Sequence, residues 1–161
     1  MNGLPEQDIL RKWIGALRDH GYRVTGPRKL VMEIITSSAM ALTPREIYEA
    51  SLKKDRSVGI ASVYRTVDML TELELVEHIH QPGGCHGIWP VLKGHNHHLV
   101  CSGCGQVQVI PGQEGIARYI EKVEHLTGYR VDEHLLQFFG LCTACKSAAG
   151  KADALDVGKE S

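Results

Sequence analysis

The sequence predicts an α+β chain in two unequal parts: a helical unit closed by a β-hairpin, then a small α/β unit held together by metal. Three observations carry that prediction. Apolar residues recur at helical spacing in four stretches between residues 7 and 73, and short strand-like segments with turn signals follow. Four of the five cysteines then stand as two Cys-x-x-Cys pairs, Cys101/Cys104 and Cys142/Cys145.

The first helix is read from Gln7 to His20, where Ile9, Leu10, Trp13, Ile14 and Leu17 share a face and Gly21 ends the pattern. Pro27 opens the second, with Leu30, Val31, Ile34 and Ile35 inward as far as Ser37-Ser38. Thr43-Pro44-Arg45-Glu46 has the form of a capping box and starts the third, which buries Ile47, Tyr48 and Leu52. The fourth runs from about Ile60 to Leu73 on Val63, Val67 and Leu70, leaving Ser62, Arg65, Thr66 and Asp68 on its opposite face. Leu75 to His80, a Gln81-Pro82-Gly83-Gly84 turn, and Cys85 to Trp89 form a hairpin.

Helices followed by a two-stranded wing make a winged-helix module, whose last helix before the wing is the one that enters a major groove. That module occupies 1–89, and Pro90 to Gly94 forms a hinge. In 95–146, His98 to Cys101, Val107 to Ile110 and Tyr129 to Phe139 read as strands and Ile116 to Leu126 as a helix. So short a unit needs a staple such as zinc, or a partner subunit, to complete its core. The small, charged stretch 147–161 reads as a disordered tail.

With 161 residues and 43% hydrophobic content, the chain suits one ordinary domain or two small ones. No apolar run approaches the roughly 20 residues of a membrane span, and no signal-peptide pattern opens the chain, so no membrane partner and a cytosolic location are expected. Net charge is only −1. Locally the balance differs: from Arg11 to Lys29 six cationic side chains face the single carboxylate of Asp19, which gives either a solvated helix face or a stripe able to neutralise phosphates.

Each Cys-x-x-Cys pair grips one edge of a tetrahedral ion, and two pairs close the shell of a structural Zn2+ with no vacant position. Free or disulfide-paired thiols are the alternative, and a reducing compartment favours the metal. The neighbouring His95, His97 and His98 therefore serve a different metal. Along a strand His95 and His97 face one side and His98 the other, so adjacent residues can supply two sites.

Four segments in register, Gly-Tyr-Arg-Val-Thr-Gly-Pro-Arg (21–28), Ala-Ser-Val-Tyr-Arg-Thr (61–66), His-Asn-His-His-Leu-Val-Cys-Ser-Gly-Cys-Gly (95–105) and Phe-Gly-Leu-Cys-Thr-Ala-Cys (139–145), resemble the ferric uptake regulator family over about residues 7–146. The resemblance implies a homodimeric repressor that binds double-stranded operator DNA and controls metal-homeostasis genes, with a divalent metal as corepressor. It implies that Tyr64 and Arg65 contact DNA and that Arg28 contacts phosphate, and it assigns the four paired cysteines to structural zinc. A regulatory site of His95, His97 and His134 follows, joined by an acidic residue for which Glu114 and Glu121 are candidates. Asn96 replaces a usual ligand of the family's hinge site. A hinge site would add His98 and a wing residue, with Glu77, His80 and Cys85 as candidates.

A Cys85 thiolate at that site favours Zn2+ over the harder Fe2+ or Mn2+, so a zinc-responsive repressor is expected, with iron, manganese or peroxide sensing as alternatives. A zinc hydrolase using His95, His97 and His134 with Glu133 as base is the remote alternative. It lacks His-Glu-x-x-His spacing, and a winged helix gives it nothing; no enzyme is expected.

Overall fold

The computed structural model describes residues 6–112 and 114–148. In chain order its elements are α1 (Glu6–Asp19), α2 (Gly26–Ser37), α3 (Pro44–Lys54), α4 (Ile60–Glu72), β1 (Val76–His80), β2 (His86–Pro90), β3 (Asn96–Cys101), β4 (Val107–Pro111), α5 (Ala117–Thr127) and β5 (Gln137–Gly140). A 3-10 turn, Glu114–Ile116, leads into α5.

Local chemistry fixes the helix starts. Thr25 caps α2 by accepting the Arg28 amide, with Pro27 in the first turn. At α3 the capping box is complete: the Glu46 amide donates to Thr43 Oγ1 at 3.2 Å and the Thr43 amide to Glu46 Oε2 at 2.7 Å. Such a cap contributes about 1 kcal/mol. The four helices bury Trp13, Leu17, Val31, Met32, Ile35, Ile47, Val63 and Leu70 together, and Val76 and Ile88 of the antiparallel β1–β2 wing close that core.

A three-stranded sheet of order β4-β3-β5 follows, with β3–β4 antiparallel and β3–β5 parallel. It shares a second, smaller core with the wing, in which Ala41, Ile79, Val100 and Val107 pack with Trp89. Main-chain bonds reinforce the junction. The Val107 amide donates to Ala39 O at 3.0 Å. Gln137, the first residue of β5, takes the His80 amide on its Oε1 at 3.1 Å and donates its Nε2 to His80 O at 2.7 Å.

The strand expected over Tyr129 to Phe139 is confined to β5. Before it, the Val131 amide donates to the Glu124 carboxylate at 2.8 Å, so a side chain takes a bond that a ladder would use. The curled segment is what brings His134 back to β3. Of the expected disordered tail, residues 147 and 148 end a helical stretch over 143–148, and the remainder lies outside the described residues.

Candidate metal centres

Cys101 ends β3, Cys104 follows in a tight turn, and Cys142 and Cys145 lie at the start of the 143–148 helix. The structure brings their four Sγ atoms within 4.8 Å of one another. Cys142 Sγ lies 3.8 Å from Cys104 Sγ, and Cys101 Sγ accepts the Cys142 amide at 3.2 Å. Amide donors, Cys142 first and then Cys104, lower the Cys101 thiol to about 6. The neighbouring thiols, Cys142 first, push Cys145 up to about 12. One thiolate forms readily and further negative charge needs a cation, which is the donor chemistry of tetrahedral Zn2+. Gly103 makes the approach possible, because a Cβ there would lie 2.9 Å from Cys145 Sγ.

The second cluster joins the entry of β3 to the curled segment. His134 Nε2 lies 3.0 Å from His95 Nε2, and the His95–His97 and His97–His134 ring centroids are 4.6 and 5.6 Å apart. Their ligand nitrogens fall within 4.8 Å of one another. Burial of His97, then the charges of His95 and His134, lower its pKa, so it stays neutral and competent as a ligand. Gly112 donates its amide to His95 O at 2.8 Å, and a Cβ on it would overlap the His95 ring. Neither Glu121 nor Glu133 joins the cluster, and the Glu114 side chain lies outside the described residues.

On the other face of β3, His98 is 5% exposed and its Nε2 stands 3.5 Å from Glu77 Oε1 of β1. That nitrogen has no hydrogen-bond partner. Burial raises Glu77 to about 6, while burial and then His97 lower His98. A buried, unpartnered imidazole nitrogen opposite a carboxylate from the wing suits a shared cation. Asn96 does not contribute there, since its Nδ2 donates to Lys93 O and Gly94 O and closes the connecting turn.

One expected hinge ligand faces the other way. His80 stands three residues from Glu77 on β1, so the pleat turns it to the opposite face. Cys85 is an exposed free thiol in the wing turn. Among the described residues neither belongs to a tight ligand group. Sequence reading missed Gln137 and the two glycines, because each acts through a neighbour distant in sequence.

In α4, Tyr64 and Arg65 are exposed, Ser62 is half-buried, and Tyr64 is 47% accessible. Thr66 departs from its expected place: it is fully buried, and its hydroxyl donates to Ser62 O at 2.7 Å, the usual way a threonine satisfies itself inside a helix. Arg28 sits in the first turn of α2, its guanidinium held by Arg23 O at 2.6 Å and 6.0 Å from the Tyr22 ring centroid.

Thiolate and imidazole sets mounted on a sheet that is latched to a winged helix define a metal-binding, DNA-binding regulator. Comparison with known proteins narrows the class. The model of the "Ferric uptake regulator family" matches residues 19–139. The ferric uptake regulation protein of Neisseria meningitidis (serogroup A) is 30% identical over 140 residues, 86% of this chain and 95% of its own. Two solved structures share the fold. The ferric uptake regulator of Helicobacter pylori, described as having three functional metal-binding sites, has a TM-score of 0.65 and 23% identity, covering 89% of this chain and 95% of its own. A zinc uptake regulator complexed with zinc and DNA has a TM-score of 0.67 and 18% identity, covering 91% and 99%. This chain belongs to the ferric uptake regulator family, whose members are metal-responsive transcription regulators.

Proposed function

We propose that the protein is a homodimeric, zinc-responsive repressor in which metal on β3 sets the angle of the winged helix. The observation that carries the zinc reading is the His95, His97 and His134 set: three imidazoles with no carboxylate among the described residues of the cluster. Imidazole donors suit Zn2+ better than Mn2+, and the general affinity order places Zn2+ above Fe2+. Cys85, an exposed thiol in the wing turn, belongs to neither tight ligand group and is not used in this reading. Iron sensing is the second reading, supported by the iron-named Neisseria relative and by the Glu77 carboxylate facing His98.

Bound at the His98–Glu77 pair, a divalent cation would supply ligand bonds available only when the wing and the sheet are together. The chain then acts as follows. His134 and Gln137 lie on one short segment, so holding His134 against His95 and His97 also holds the Gln137 amide on the wing backbone at His80. His98 and Glu77 join the same two parts directly, about a hinge at 90–94. Arg65, Tyr64 and Ser62 read the groove, and Arg28 at the N-terminus of α2 takes a phosphate. No helix among the described residues is long and apolar enough to cross a membrane.

Dimerisation is supported by what α5 and β5 leave uncovered. No residue of α5 is buried, Tyr119, Leu126 and Leu135 are 67%, 72% and 74% exposed, and among the described residues β5 with Phe138 and Phe139 is an edge strand. Two copies joined there would cover apolar surface that water otherwise meets. The test selects duplexes from a random pool with the zinc-loaded protein, then titrates Zn2+, Fe2+ (anaerobically) and Mn2+ against them. Activation by Zn2+ at the lowest free concentration supports the reading; activation by Fe2+ or Mn2+ at lower free concentration overturns it.

A further inference from the structure

We propose that the end of the wing carries a separate, surface-exposed metal site made by His78, His80 and His86, which takes a late divalent transition cation such as Zn2+, Cu2+ or Ni2+. Strand parity places the three on one face. His78 and His80 are two apart on β1, and His86 is the register partner of His80 on β2. Glu77 and Ile79 alternate with them on the face towards the sheet, where Ile79 joins the shared core and Glu77 meets His98. The wing histidines are therefore insulated from the hinge pair by the thickness of the strand.

The pair type also matters. Both polar main-chain groups of His80 are taken by Gln137 on the outer edge of β1, so His80 and His86 exchange no ladder bonds and form the close kind of cross-strand pair. Their ring centroids lie 4.4 Å apart, and the His78 ring lies edge-on to His86 at 6.4 Å. Within the recognised cluster the His95–His97 and His95–His134 centroids are 4.6 and 4.7 Å apart, so the wing pair has a comparable ring spacing, and rotation of the exposed rings would converge their nitrogens. All three wing rings are exposed, so His78 is free to turn towards the pair.

Imidazole donors suit zinc, copper and nickel and bind manganese weakly. A cation here would place positive charge on the wing, a consequence that rests on the proposed DNA-binding reading; the binding itself does not.

The experiment uses the full chain with its tightly held zinc in place. Equilibrium dialysis against Cu2+, Ni2+ and Zn2+, one at a time, compares wild type with His80→Asn/His86→Asn and with His97→Ala, and Cu2+ electron paramagnetic resonance counts nitrogen ligands. The expected result is one ion whose affinity falls more than about tenfold in His80→Asn/His86→Asn and is retained in His97→Ala. Unchanged stoichiometry and affinity in the wing variant overturn the site. The wing variant should keep Zn2+-dependent DNA binding through β3, so its outcome is separate from that of the regulatory reading.

Discussion

Glu77 shows how one half-buried carboxylate is pulled two ways. Burial lifts it to about 6, above the ordinary 4.5, so the metal-free fold favours the protonated form. Its contribution to metal-free stability is complete below the unfolded value and is lost as pH rises through about 6. Metal binding runs oppositely, because a ligand carboxylate must be ionised. Zinc affinity at the His98–Glu77 pair should therefore fall as pH drops through 6, and Glu77→Gln should remove that inflection; a titration by pH-resolved calorimetry that shows it unchanged would reassign it to the histidines. At the thiolate site Gly103→Ala is the sharper probe than a cysteine substitution, since it leaves all four ligands and only drives a methyl into Cys145 Sγ. Elemental analysis should show less than the retained zinc of wild type, with a lowered melting temperature.

At the scale of elements, Arg65 and Thr66 are neighbours on α4 with opposite fates. Arg65→Ala should cost about 1–3 kcal/mol of DNA affinity, roughly 5–150-fold, with metal content unaltered. Thr66→Val, at a buried position whose hydroxyl only serves its own helix, should leave DNA affinity within about twofold by gel shift. Gln137→Leu should separate metal from DNA: full metal content, but a smaller metal-induced gain in DNA affinity, because the wing loses its side-chain latch. The helices were legible because each has a period, a cap and a stop written locally, as in Thr43-Pro44-Arg45-Glu46. Strand parity made it legible that His98 faces away from His95 and His97, while Glu77 was one of three wing candidates that the resemblance supplied. Parity read on β1 alone would also have removed His80 from the hinge. Thr66 was misread because a helical face drawn from polarity counts a threonine as outward, whereas a self-satisfied hydroxyl tolerates burial. Gln137 had no local signal; it lay inside an expected strand, and its role exists only once β5 meets the wing.

At the scale of the whole molecule, the second unit shares its small core with the wing, and a metal at the thiolate set and, in the proposed dimer, a second copy would complete it. Phe138→Asp at the edge of β5 should shift the zinc-loaded protein from dimer towards monomer in sedimentation velocity while the thiolate zinc stays bound. The central claim is that metal on β3 and DNA on α4 bias the same arrangement of the two parts. Linkage makes that reciprocal, so the most direct measurement is the Zn2+ affinity of the regulatory sites in the full chain with and without a selected duplex. The account predicts that duplex raises Zn2+ affinity by the same factor by which Zn2+ raises duplex affinity, about 5–150-fold. Equal Zn2+ affinity with and without the duplex would contradict it.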